Sequence, residues 1–239
     1  MTQRANRAIL ISGGGSIEVE RLKGILKEEM PNIKDIKASY IGAANSDREP
    51  FFENMKAILL QIGVQSVDFL RLATKDVDID EIKRKLSESN LIFISGGEVE
   101  DGMKWLEYHN LSDFFRLQYS LGKQFICVSA GTIMMGRYWV NMDEDNLGAN
   151  PKLFGCLGII PCIFDTHAEN EEWIELKTAL NLLGEGSIGY GLPTLGIITA
   201  TSEGELLGCE TDILEFKNDN NDFYITAKRG IKPTNDRLE

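Results

Sequence analysis

Ser129 stands in the run Cys127-Val128-Ser129-Ala130-Gly131, directly after the apolar stretch Gln124–Val128 and before the helix-like Thr132–Met135. A serine at a sharp strand-to-helix turn has its hydroxyl lifted above the sheet as an acyl-accepting nucleophile requires, and small neighbours such as Ala130 and Gly131 permit that turn. Cys127 occupies the first position of the usual G-x-S-x-G pattern, so the match is partial. The competing reading is a serine that only caps a helix. A serine nucleophile needs an imidazole base, and the chain holds two histidines, His109 and His167. His167 ends Asp165-Thr166-His167, just after the apolar run Leu157–Phe164, which puts it at the end of a predicted strand unless it is a satisfied structural histidine. His109 lies in a helical pattern with Trp105, Tyr108 and Leu111 and reads as a helix-end or surface histidine. An imidazole base is in turn oriented by a carboxylate. Asp143, Glu144, Asp145 and Glu169 are the candidates, against a solvated acidic loop and a helix N-terminal charge as the plain alternatives. Gly96-Gly97 and the Ala130 N–H supply backbone donors suited to an oxyanion.

The elements that must position these residues follow from hydrophobic period. Ala8–Ser12 reads as a strand that runs into Gly13-Gly14-Gly15, then Leu22, Ile25, Leu26 and Met30 repeat at helical spacing, with Ser16 as a candidate cap and Pro31 as the stop. The same alternation continues through strands at Ala38–Ala44, Val64–Leu72, Leu91–Ser95 and Gln124–Val128, separated by helical faces around Phe51–Ile62, Ile79–Leu86 and Val99–Leu121. Nearly continuous apolar strands separated by helices predict a parallel sheet buried on both faces. Downstream, the pattern predicts strands at Leu157–Phe164 and Thr194–Ala200, a helix at Glu171–Leu183, and an antiparallel hairpin of Ile213–Lys217 with Phe223–Lys228 at the sheet edge. The expectation is one doubly wound α/β domain over residues 1–239, with the candidate loops Gly13–Gly15, Asn45–Asp47, Gly96-Gly97 and Ser129–Gly131 on one rim. The glycine triplet lacks G-x-G-x-x-G spacing and reads as close backbone packing rather than a phosphate cradle.

Composition narrows the function classes. A net charge of −12 disfavours nucleic acid and anionic membrane surfaces as partners. No apolar stretch approaches the roughly 20 residues of a membrane span. The N-terminal apolar run Ala8–Ile11 is shorter than a signal-peptide core, so a cytoplasmic protein is expected. The four cysteines, Cys127, Cys156, Cys162 and Cys209, form no C-x-x-C pair and read as buried reduced thiols, with neither metal nor cofactor expected.

Gly13-Gly14-Gly15, Ile41-Gly42-Ala43-Ala44, Ile94-Ser95-Gly96-Gly97, Val128-Ser129-Ala130-Gly131 and Asp165-Thr166-His167 together resemble the dipeptidase E and cyanophycinase family of serine peptidases, within the class I glutamine amidotransferase-like fold. The landmarks run in family order over residues 8 to 200, with Ser129 lying 32 residues after Gly97 and 38 before His167. The resemblance implies Ser129 as nucleophile, His167 as base, an acid in the Asp143–Asp145 loop and Gly97 with Ala130 as oxyanion donors. Glu144 is the acid whose interval from Ser129 resembles the family's, and Glu169 stays open through its likeness to the His-x-Glu pair of the amidotransferases. Cys127 and Glu98 depart from the family pattern, and no arginine occurs from Ala168 to Gly184, where aspartyl-specific members carry one. The implied activity is hydrolysis of a short peptide or related amide, with neutral or basic residues preferred over aspartyl, possible homodimerisation, and a catalytically silent binding module or a cyanophycinase-like peptidase as alternatives.

Overall fold

The computed structural model describes residues 7–31, 35–142, 150–208 and 212–228. Strands β1 (Arg7–Ile11), β2 (Lys37–Ile41), β3 (Ser66–Leu70), β4 (Leu91–Ile94) and β5 (Gln124–Val128) pair in parallel in the order β1-β5-β4-β2-β3. Their side chains alternate between two buried clusters: Ile92 and Ile94 of β4 pack with Leu106, Phe115 and Phe125, while Leu91 and Phe93 pack with Leu22, Tyr40 and Phe52 on the other face. A strand buried on both faces has no polar side to show, which is why β4 reads as an unbroken apolar run and β5 nearly so, whereas β3 at the sheet edge is largely open and carries Ser66 and Asp68. The crossovers are helices α1 (Val19–Glu29), α2 (Glu49–Gln61), α3 (Ile79–Glu88), α4 (Val99–Tyr108) and α5 (Ser112–Ser120).

Several expectations are corrected. The helix predicted over Val99–Leu121 is two helices, because Asn110 adopts φ 54° and a left-handed residue ends the first one. Ser16 does not cap α1, which starts at Val19 after Glu18, without a side-chain cap. Leu157–Phe164 is buried but is not a strand: Gly158 turns the chain at φ 60°, Pro161 has no N–H to give, and the segment closes over helix α6 (Ala130–Met134) through Leu157 N–H to Met134 O at 2.9 Å. Its apolar character comes from burial, not from strand pairing.

The predicted hairpin exists as β12 (Ile213–Asp219) and β13 (Asp222–Lys228), turned by Asn220 and Asn221 at φ 53° and 70°. It does not lie at the edge of the main sheet. With β9 (Ile188–Leu192) and β8 (Phe164–Thr166) it makes a separate four-stranded sheet, order β13-β12-β9-β8, packed on helix α7 (Ile174–Leu183) around Trp173, Leu176, Leu180 and Phe216. The main sheet instead gains β10 (Ile197–Thr201), antiparallel to β1, and β11 (Leu206–Gly208), for seven strands. A two-stranded ribbon, β6 (Tyr138–Asn141) with β7 (Lys152–Gly155), places Trp139 opposite Phe154.

Candidate active site

The carboxyl ends of β1, β5 and β4 lie side by side and deliver Gly13, Ser129 and Gly96-Gly97 to one rim. Ser129 has φ 52° and ψ −118°, a conformation an L-residue holds only when its surroundings impose it. They do so through three hydrogen bonds at the turn. Ser129 N–H donates to Ile11 O at 2.9 Å, and the Thr132 hydroxyl lies 2.9 Å from Ile11 O and 3.0 Å from Cys127 O. Gly131 completes the turn because a Cβ there would come within 2.4 Å of Ile94 O.

His167 follows β8, and its N–H donates to Leu192 O at 2.9 Å. The same carbonyl accepts from the Ser12 hydroxyl at 2.7 Å, tying the small sheet to the end of β1. The outcome is a Ser129 Oγ to His167 Nε2 separation of 2.8 Å. The glycine triplet makes room for this pair: a Cβ on Gly13 would meet Ser129 Cβ at 3.3 Å, and one on Gly14 would meet His167 Cβ at 3.1 Å. Close packing is therefore the role of these glycines.

Gly97 sits at φ 142° with Ala44 O only 2.1 Å from where a Cβ would stand. Glu98 N–H to Ala44 O at 2.7 Å and Asn45 Nδ2 to Gly96 O at 3.1 Å hold this loop down on the 3-10 turn Ala43–Asn45. The Gly97 and Ala130 N–H groups have no acceptor among the described residues, and both residues line the same cavity as Ser129. Two preorganised N–H donors beside a serine hydroxyl are suited to a tetrahedral oxyanion.

Of the candidate acids, Asp143, Glu144 and Asp145 lie outside the described residues. Glu169 is turned to Thr194, accepting its N–H at 2.5 Å and its hydroxyl at 3.2 Å, and is not hydrogen-bonded to His167. His109 is at the C-terminal end of α4 as expected, but buried, with Nε2 2.9 Å from Leu72 O. Cys127, Cys156 and Cys162 are buried free thiols, and burial pushes all three upward, Cys156 and Cys162 to about 12.

Sequence reasoning assigned no role to Asp165, Trp139 or Phe154. All three line a cavity of about 830 Å³ that opens beside Ser129. Asp165 is 3% exposed and its carboxyl is pushed up to about 7, chiefly by burial, with Glu175 and Glu171 adding to it and the Thr166 and Leu176 N–H groups opposing. Its place two residues before His167 was the available signal. Among the described residues no cluster of His, Cys, Asp or Glu is suited to a metal ion, and no helix is long and apolar enough to cross a membrane.

A strained serine in hydrogen-bond contact with a histidine, on a doubly wound sheet and beside two free backbone donors, is the arrangement of a serine hydrolase. The sequence model of peptidase family S51 matches residues 8–194, and the chain belongs to that family of serine peptidases. Among solved structures, a peptidase from an acI-B1 Actinobacterium shares the fold at a TM-score of 0.70 and 19% identity, covering 95% of this chain and 96% of that one. A Listeria monocytogenes EGD-e protein assigned as a peptidase E does so at 0.60 and 17%, covering 90% and 100%. A comparison with curated proteins gave no match.

Proposed function

We propose that the protein hydrolyses short peptides or related amides through an acyl-enzyme on Ser129. His167 Nε2 takes the Ser129 proton as Oγ attacks the scissile carbonyl, and the oxyanion is received by the Gly97 and Ala130 N–H groups. The same proton passes to the departing amine, and water, activated by His167, then releases the acyl group. Glu144 is the acid we assign to orient the imidazole. The observation that carries this reading is the 2.8 Å contact between Ser129 Oγ and His167 Nε2 at a backbone conformation the fold forces on Ser129.

Labelling with a fluorophosphonate tests it. Wild-type protein is expected to be modified at Ser129 alone, and His167→Gln to slow labelling strongly. Ser129→Ala is expected to lower hydrolysis by on the order of 10⁶ with the fold unchanged, because nucleophile and base act as a unit. Unlabelled, folded wild-type protein would mark a silent binding module, and activity that survives the Ser129→Ala substitution would exclude Ser129 as the nucleophile.

A further inference from the structure

The donor that Gly97 offers to an oxyanion belongs to a peptide unit with unusual freedom to turn. The Gly96 C=O and the Gly97 N–H are opposite edges of one planar trans amide, so fixing either edge aims the other. Glycine stands on both sides of that plane, and no Cβ resists its rotation. The N–H edge has no acceptor among the described residues. Turned over, the same unit would present a carbonyl oxygen where a developing oxyanion has to be received, and attraction would become repulsion.

The other edge is held by a buried side chain. Asn45 Nδ2 donates to Gly96 O at 3.1 Å, and Asn45 does not line the Ser129 cavity, whereas Gly97 does. A carbonyl drawn back to Asn45 therefore leaves the N–H on the cavity side. The side-chain amide has its own orientation fixed as well. Its Oδ1 accepts the Arg48 N–H at 3.2 Å and its Nδ2 reaches Ser95 Oγ at 2.9 Å, so exchanging the two ends would set oxygen against Gly96 O and nitrogen against the Arg48 N–H. The turn that carries Asn45 is braced by Asp47, whose Oδ2 accepts the Leu72 and Ala73 N–H groups at 2.6 Å each and helps offset left-handed backbone at Ser46 and Asp47, φ 58° and 54°. Ala44 O takes the Glu98 N–H at 2.7 Å and so fixes the next peptide along. The Gly96–Gly97 plane itself is left to Asn45.

We propose that Asn45 is a positioning residue: it latches the Gly96–Gly97 peptide with its N–H toward Ser129, so that the oxyanion site is assembled before a substrate arrives. The proposal rests on the serine-peptidase reading for the oxyanion and adds to it a residue that lies outside the cavity.

Fluorophosphonate modification of Ser129 tests it, because that reaction also builds charge on an oxygen in the oxyanion site. The variants are made in the full-length protein. Asn45→Asp keeps the side-chain shape and the Arg48 contact but replaces the donor by an acceptor. Asn45→Ala and Asn45→Asp are expected to lower the maximal labelling rate about 100-fold, with the half-saturating concentration within about threefold of wild type. Ser95→Ala removes another partner of Asn45 but leaves the Gly96 contact, and should label within about threefold of wild type. A crystal structure of Asn45→Ala is expected to show the Gly96–Gly97 peptide turned over or in two orientations. A wild-type labelling rate in Asn45→Ala, a loss in Ser95→Ala as large as in Asn45→Ala, or an unturned peptide overturns the proposal. Should neither Asn45 variant fold, the structure of phosphonylated wild-type protein decides. The Gly97 N–H within about 3.2 Å of the phosphoryl oxygen, with Asn45 still on Gly96 O, supports the latch, and the absence of either contact overturns it. A failure of the peptidase reading shows separately, as folded wild-type protein that is not labelled, and the peptide orientation in Asn45→Ala then still decides for or against the latch.

Discussion

Ser129 and His167 come from two unlike parts of the molecule. The serine rises from the middle of the seven-stranded sheet, between β1 and β4, where Ile126, Cys127 and Ile94 are almost wholly buried and glycines fix the backbone. The histidine follows a three-residue edge strand of the four-stranded sheet, whose outer strand β13 is largely exposed. The first region holds its site residue by burial and obligatory backbone, the second by a few hydrogen bonds to its neighbour, above all through Leu192 O. Distributing the proposed catalytic pair in this way would make the serine side insensitive to modest change and leave the imidazole dependent on how the small sheet is docked.

That contrast is open to attack, and the largest effect belongs to the histidine's support. Glu144→Gln is expected to lower kcat by on the order of 10⁴ if it orients the imidazole. Glu169→Gln, whose carboxylate is bound to Thr194, should change kcat only about threefold. Steady-state kinetics of both variants, with Asp143→Asn and Asp145→Asn, would refute the assignment if Glu144→Gln were the least affected. On the serine side, Gly97→Ala places a methyl against Ala44 O, and moving one oxyanion donor is expected to cost on the order of 10²–10³ in kcat with KM little changed. A KM effect alone would move Gly97 out of that role.

Asp165 sharpens the comparison through pH. Its folded pKa of about 7 lies above the unfolded value near 4. The folded state therefore holds this proton more tightly, and the associated stability is fully present below about pH 4 and lost as the pH climbs to about 7. Asp165→Asn should remove a loss of about 2–4 kcal/mol across that window, seen as a flatter unfolding free energy between pH 4 and pH 8 in urea titrations. An unchanged pH profile would contradict it. The smallest effect tests the joint itself. Ser12→Ala deletes one buried hydrogen bond to Leu192 O, for about 1 kcal/mol of stability and a severalfold fall in kcat, whereas a fall in stability with kcat untouched would show that His167 is held independently.

The same division explains what was legible in the sequence. The central parallel strands and the elbow could be read because double burial writes an apolar run and the site loops end in glycine or small residues. β6, β7 and β9 could not, since they are short and only partly buried and leave little period to detect. Leu157–Phe164 misleads for the opposite reason: a loop that covers α6 is as apolar as a strand. Spacing alone keeps Glu169 as a partner for His167. Only the fold shows that Thr194, 25 residues on, takes both of its oxygens.

The thiol behind the elbow has a practical consequence. Cys127 precedes Ser129 by two residues yet is fully buried, and burial disfavours its thiolate, as it does those of Cys156 and Cys162. Alkylating and oxidising reagents act on exposed thiolates. At these three positions the folded protein therefore offers them no target. Cys209 lies outside the described residues, so the consequence is local: iodoacetamide in the buffer should leave the thiol behind the elbow unmodified, and inhibition by a thiol reagent would not be traced to Cys127.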